Sequence, residues 1–271
     1  MTTRYQIYKL NKDLRRIKKI CPISHTDAWI LADRQLYKMV NHALEDTVYV
    51  DDADDIVVLK EGYVLVLRTK SNIIMKLLEN RRLVRFANVG CSNMLPYCFC
   101  NSTEDTLSVY LISDTKYQQG YRNWVVQLNE DGIVSKTFNF YTYYMKKPCL
   151  MQNVDSDLCV LYPRYSYIGN LHFINLLNNK CEKIQSFKGI LGYDPSDHFE
   201  CYGLCTNNKD IFVSDLRHHS IYILGKKDLE YKRCVVDARN GLDTPTAVAI
   251  LNDILWIADG DQMFKFNFNN K

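Results

Sequence analysis

The chain predicts an all-β fold, a six-bladed β-propeller closed by an N-terminal strand. Three observations carry this expectation. The segment Phe212-Val-Ser-Asp-Leu-Arg-His-His-Ser-Ile-Tyr-Ile-Leu224 recurs, degraded, as Trp256-Ile-Ala-Asp-Gly-Asp-Gln-Met-Phe-Lys-Phe-Asn-Phe268. Each copy follows a small-residue run, Tyr202-Gly-Leu-Cys205 in one and Pro245-Thr-Ala-Val-Ala249 in the other. Asp215 and Asp259 stand 44 positions apart, and a repeat of about 40–50 residues built from short strands is the signature of a propeller blade.

The repeat extends upstream. The second strand of successive units reads Trp29 to Asp33, Leu65 to Thr69, Tyr110 to Asp114, Cys159 to Pro163, Ile211 to Asp215 and Leu255 to Asp259. Six units fit in 271 residues. Partner strands follow at Gln35 to Val40, Ile73 to Leu78, Trp124 to Leu128, Leu171 to Leu176, Ser220 to Leu224 and Met263 to Phe268. Several alternate apolar and polar residues, as half-buried strands do. The last unit reaches only its third strand, whereas a blade needs four. The alternating run of residues 3–10, Thr3-Arg-Tyr-Gln-Ile-Tyr-Lys-Leu10, is expected to complete the last blade and remove an open sheet edge. Residues 1–271 then form a single propeller domain. The stretch Tyr141 to Lys147 is expected to connect the third and fourth blades.

Composition supports a large core, with 47% apolar and 12% aromatic residues. No run approaches the roughly 20 apolar residues of a membrane-spanning helix, so no membrane partner is expected. The N-terminus is polar and lacks a signal-like apolar segment, which points to a cytoplasmic protein. The ten cysteines lie mostly inside apolar strand runs and read as reduced, buried residues without disulfide partners. The net charge of +3 does not by itself demand a polyanion. Basic clusters at Arg15-Arg16 with Lys18-Lys19, and at Arg81-Arg82 with Arg85, each read alone as solvated loops. An acidic run from Glu45 to Asp55 would repel a polyanion locally.

The last two units resemble NHL repeats. The residues that carry the likeness are Tyr202-Gly-Leu-Cys-Thr206 with Ile211-Phe-Val-Ser-Asp215, and Gly241 to Ala249 with Leu255-Trp-Ile-Ala-Asp259. The likeness is clear over about residues 198–268 and weak elsewhere, and the Asn-x-Arg turn of that pattern is lost. The whole chain is similar to the C-terminal propeller of invertebrate tripartite-motif proteins. That resemblance implies a module recognising a protein or RNA target for a ubiquitin ligase whose RING, B-box and coiled-coil segments are not in this sequence.

No catalytic constellation is visible, and no cofactor or metal is expected. Cys98-x-Cys100 and Cys201-x3-Cys205 lack the partners of a zinc site. The recurring Asp33, Asp114, Asp215 and Asp259 are expected to bond backbone amides at turns. The loops after each second strand should open on one end of the propeller. They carry Arg34; Arg68 and Lys70; Lys116, Tyr117, Tyr121 and Arg122; Arg164, Tyr165 and Tyr167; and Arg217, His218 and His219. Arg and Tyr dominate protein-interface anchors, and they also neutralise phosphates and stack on bases. A protein target is the leading expectation, single-stranded RNA the alternative, and a metal-dependent hydrolase the weaker third.

Overall fold

The computed structural model describes residues 5–10, 14, 16–59, 61–68, 71–90, 94–101, 106–117, 120–142, 148–166, 169–189 and 199–267. Side chains are described for all of these except 114–117, 120, 141–142, 163–166 and 169–171. The fold is an all-β six-bladed propeller, and every pairing described is antiparallel.

The first strand, β1 (Tyr5–Lys9), belongs to the last blade. Blade 1 is β2 (Ile17–Pro22), β3 (Ala28–Ala32), β4 (Gln35–Val40) and β5 (Ala43–Val50). Blade 2 is β6 (Asp55–Val58), β7 (Val64–Leu67), β8 (Ile73–Leu77) and β9 (Leu83–Asn88). Blade 3 is β10 (Met94–Asn101), β11 (Leu107–Tyr117), β12 (Gly120–Leu128) and β13 (Val134–Thr142). Blade 4 is β14 (Leu150–Val154), β15 (Asp157–Ser166), β16 (Gly169–Leu177) and β17 (Lys183–Phe187). Blade 5 is β18 (Cys201–Thr206), β19 (Asp210–Asp215), β20 (Ser220–Gly225) and β21 (Tyr231–Val236). Blade 6 is β22 (Pro245–Leu251), β23 (Ile254–Asp259) and β24 (Gln262–Asn267), with β1 outermost.

The N-terminal strand pairs as expected, from Tyr5 opposite Phe266 to Lys9 opposite Gln262. Tyr5 stacks on Phe266 at 5.3 Å between ring centroids. Two local expectations change. Tyr141 and Thr142 extend β13 rather than belonging to a connection, and residues 143–147 lie outside the described residues. The central hairpins of blades 3 and 4 are also longer than the apolar runs suggest. In blade 3 the ladder continues through Lys116 opposite Tyr121 and Tyr117 opposite Gly120, because polar side chains do not interrupt backbone pairing.

The chain groups into two compact units, one of Met1–Asp51, Tyr165–His172 and Phe187–Lys271, the other of Asp52–Arg164 and Phe173–Ser186. In the second unit, Leu65, Leu67, Phe99 and Val109 pack blade 2 on blade 3, while Tyr110, Met151, Val160 and Tyr162 pack blade 3 on blade 4. In the first unit, Phe212, Ile223, Leu255 and Phe264 join blade 5 to blade 6, and Ile17, Ile30, Met39, Trp256 and Met263 join blade 6 to blade 1. The inner strands β18 and β22 lie so close that a Cβ at Gly203 would stand 2.8 Å from Ser214 Oγ and 2.8 Å from Val248 N. This spacing admits only glycine and explains the Tyr-Gly-Leu-Cys run as a packing requirement.

The seam between blades 6 and 1 contains a buried amine. Lys265 on β24 is 5% exposed. Its Nζ donates to His25 O at 2.8 Å and to His42 Nδ1 at 2.7 Å, and stands 3.4 Å from the centre of the Trp256 ring. Tyr8 of β1 stacks on His42 at 4.0 Å and closes the enclosure. Burial pushes the Lys265 amine down from its ordinary 10.5 to about 8, against a smaller upward pull from Asp27. Burial also lowers His42, with Lys265 adding to the effect. His42 therefore acts as a neutral acceptor.

Two outcomes follow from this architecture. Deleting residues 1–10 removes β1 from Phe266 and Phe264 and opens the edge of blade 6. The melting temperature should fall by at least about 5 °C, the shift expected from a loss of a few kcal/mol in a chain of this size; an unchanged melt would refute closure by β1. The second concerns pH. The folded state holds the Lys265 proton less tightly than the unfolded chain does, so this group adds stability as pH rises from about 8 to 10.5 and removes it as pH falls back. Urea midpoints of wild type and Lys265→Met should therefore diverge in favour of wild type between pH 7.5 and 9.5, by roughly 2 kcal/mol. A constant gap would show that the amine is not desolvated.

Candidate functional site

The strand-end aspartates organise one end of blades 5 and 6. Asp215, 1% exposed at the end of β19, accepts from the backbone N–H of Glu200 at 3.2 Å and of Arg217 at 3.1 Å. Its second oxygen accepts from His218 Nδ1 at 2.6 Å. Asp259, at the end of β23, accepts from the backbone N–H of Asp243 at 3.0 Å and from that of Thr244. The amide-bonding role expected of these residues holds at both positions. In blade 1 the pattern changes: Asp33 has φ 48° and its own N–H donates to Arg16 O at 3.3 Å. Blade 2 places the same chemistry at the start of an inner strand, where Asp55 accepts from Ile56 N and from Phe99 N of blade 3, each at 2.9 Å.

The Glu200, Asp243 and Thr244 amides held by these aspartates immediately precede the inner strands, and there the ladder carries an extra residue. Cys201 pairs with Asp215 and Gly203 with Ser214, leaving Tyr202 unmatched. Pro245 pairs with Asp259 and Ala247 with Ala258, leaving Thr246 unmatched. Blade 1 repeats the device at Lys18, between Ile17 and Lys19. A bulge disrupts the ladder locally and re-aims a side chain. The aspartates supply acceptors to the N–H groups beside it.

A cleft of about 280 Å³ opens where these strands begin. It is lined by Arg16, Ile17, Tyr202, Leu216, Thr244, Thr246 and Gly260. Two of these bulged residues, Tyr202 and Thr246, line it. The Arg16 guanidinium lies over the Tyr202 ring at 4.2 Å. Tyr202 is fixed from the other side by its hydroxyl, which donates to Glu200 Oε1 at 2.9 Å. The buried His172 ring stands edge-on to Tyr202 at 5.2 Å, with its Nδ1 2.5 Å from Cys201 O. Burial lowers the His172 pKa, outweighing the pull of its carbonyl partner, so this support is a neutral imidazole. Burial, together with the bond to Glu200, raises the Tyr202 phenol, which stays a neutral donor.

The residues expected at this end are distributed unevenly. Arg217, His218 and His219 share the β19–β20 turn, with Arg217 exposed and His218 tied to Asp215. His219 Nδ1 contacts Asp243 O. Arg34 is exposed in the β3–β4 turn of the same unit. Arg68 follows β7 and is half-buried. Lys116, Tyr117, Tyr121 and Arg122 are strand residues rather than loop residues, since the β11–β12 ladder continues past them. Arg122 lies flat against its own strand, 4.7 Å over the Trp124 ring. Arg164 and Tyr165 also belong to a strand, β15, and their side chains, like that of Tyr117, are outside the description; Lys70 and Tyr167 lie outside the described residues. Arg16, Tyr202, Thr244 and Thr246 were missed as site residues. The available signal was the pairing of a basic cluster before β2 with a tyrosine before the Gly203 packing point.

Among the described residues, no group of three or more His, Cys, Asp or Glu side chains is placed to hold a metal ion. The nine described cysteines are free thiols. Burial pushes Cys181 up to about 12 and Cys159 and Cys205 higher still, so these are inert apolar fillers.

The chain is a six-bladed propeller, and its fold resembles those of differently named proteins. No protein-family model and no curated protein matches it. Among solved structures, virginiamycin B lyase from Staphylococcus aureus is similar at 14% identity, covering 98% of this chain and 100% of that one, with a TM-score of 0.56. A structure named after gluconolactonase has 11% identity, covers 98% of this chain and 92% of that one, and has a TM-score of 0.63. The WD40 propeller domain of Doa1 is similar at 12% identity and a TM-score of 0.55, covering 99% of both chains. At these identities the likeness is one of fold.

Replacing Asp259 by Ala would leave the Asp243 and Thr244 amides without their acceptor. An unsatisfied amide costs about 1–3 kcal/mol, so the urea midpoint should fall accordingly, with Asp259→Asn losing less. Equal midpoints for wild type and D259A would show that the carboxylate is dispensable.

Proposed function

We propose that this propeller is a non-catalytic recognition module that binds a protein partner through the end of blades 1, 5 and 6 where the inner strands begin. The observation that carries the reading is the Arg16–Tyr202 pair, held in place beside a cleft and next to the exposed Arg217. Immobilised Arg and Tyr side chains are the commonest interface anchors, because little further entropy is lost when a partner arrives.

The same surface argues against a nucleic-acid backbone. Glu200 is bonded to Tyr202, and Asp243 and Asp261 adjoin the cleft residues Thr244 and Gly260. The Asp243 side chain is 84% exposed and that of Asp261 is 42% exposed. A chain of phosphates would meet these carboxylates at several points, whereas a folded or peptide partner of mixed charge can avoid them. The NHL-like features of blades 5 and 6 support the finer reading of a targeting domain for a tripartite-motif-type ubiquitin ligase in the cytoplasm.

The test is a selection of displayed linear peptides and of mixed RNA pools on the purified chain, at two ionic strengths. Peptide binders should emerge, and Arg16→Ala with Arg217→Ala should weaken them by about 2 kcal/mol or more if both are anchors. The melting temperature should barely move, because exposed charges contribute little to stability. RNA binding that falls steeply with salt, without peptide binders, would replace this reading with the RNA one.

A further inference from the structure

We infer that the cleft between Arg16 and Tyr202 is a carboxylate-accepting site for an acidic residue of a peptide segment. This rests on the peptide-recognition reading and names the chemistry of that same site.

The cation is available. Arg16 is exposed, and among the described residues its side chain contacts the face and hydroxyl of Tyr202 and forms no ion pair with a carboxylate. The guanidinium lies over the Tyr202 ring, 4.2 Å from its centre, and its fork of N–H donors can grip a carboxylate by two parallel bonds. Tyr202 cannot move aside to release it. Its ring is backed by His172, its hydroxyl is held by Glu200, and its backbone sits in the bulge next to Gly203.

The rest of the lining suits the remainder of an acidic side chain. Thr244 and Thr246 bring hydroxyl donors, while Ile17 and Leu216 offer apolar surface to a methylene stem. A volume of about 280 Å³ lies just below the 300–1,000 Å³ typical of whole-ligand pockets. It therefore fits one side chain or chain terminus rather than a large cofactor.

Charge selects the kind of anion. One guanidinium balances one negative charge, and the Glu200 carboxylate already holds the Tyr202 hydroxyl beside it. A carboxylate adds a single charge to that surround. A phosphate monoester brings up to two, and each must meet the neighbouring carboxylate. The site is thus built for the weaker anion.

The experiment uses the full chain with isotope-labelled arginine and backbone amides. It is titrated in parallel with N-acetyl-glutamate amide, N-acetyl-glutamine amide, O-phosphoserine, and a free-carboxylate N-acetyl-alanine beside its amide. The glutamate compound should shift the Arg16 side-chain resonance and the Thr246 amide with at least tenfold higher affinity than its glutamine counterpart. Arg16→Met should reduce that ratio to near one while leaving the remaining spectrum unchanged. The side-chain and chain-terminal carboxylates are distinguished by which titrates at lower concentration. Equal binding of glutamate and glutamine, tighter binding of phosphoserine, or no shift at Arg16 with any compound would each overturn the inference. None of these would touch the recognition reading, which the peptide selection decides.

Discussion

Blades 5 and 6 depend on buried carboxylates that take over where the β-ladder stops. An inner strand that begins with a bulge leaves amide donors out of register with its neighbour. Left unbonded in this partly buried setting, each would cost about 1 kcal/mol or more. Asp259 meets this demand by spending both oxygens on backbone N–H groups 15 and 16 residues earlier in the chain, and Asp215 by accepting from the N–H of Glu200, 15 residues earlier, while also holding Arg217 N–H and His218. Once those amides are satisfied, the bulge can persist, and a residue inside a sheet can face outward. Tyr202 and Thr246 reach the cleft for this reason. Packing sets the other half of the constraint: Gly203 lets β18 approach Val248 and Ser214, which fixes how near the inner strands come at that end.

Much of the architecture was legible because the second strands are buried on both faces. β3, β7 and β23 are almost wholly enclosed, so they read as uninterrupted apolar runs whatever their neighbours do. Outer strands read poorly for the converse reason. β17 and β21 are largely exposed, and their sequences carry little beyond a tolerance for extended backbone. The ends of the long hairpins in blades 3 and 4 read poorly likewise: Lys116, Tyr121 and Arg122 look like turn residues by composition, yet Lys116 pairs with Tyr121 and Arg122 with Tyr141.

The site was harder to read than the fold because its members come from separate places in the repeat. Arg16 precedes an inner strand, Tyr202 and Thr246 occupy bulges, and Leu216 and Gly260 belong to turns after second strands. Only the last group lies in the turns whose composition points to a binding face. A bulge has no compositional mark; Lys18, Tyr202 and Thr246 share nothing but position. The aspartates were interpretable because a buried acid at a strand end has few uses other than accepting amides, and its recurrence at Asp215 and Asp259 pointed to a structural need.

The pairing of β1 with β24 also constrains the order in which the molecule can be assembled. Tyr5 meets Phe266, so the contact that completes blade 6 spans nearly the whole sequence. Contacts of that separation form late, since a very long loop must be closed before they return any energy. The first strand of the propeller is therefore the last to find its partner, and it waits as an unpaired edge carrying Tyr5 and Ile7, which stay partly exposed even in the finished fold. Blades 1 to 5 need no such wait, because each takes its four strands from consecutive sequence. Maturation of this protein thus has a defined final event, the docking of one short strand, and the nascent chain is most open to mispairing or capture by a chaperone just before it.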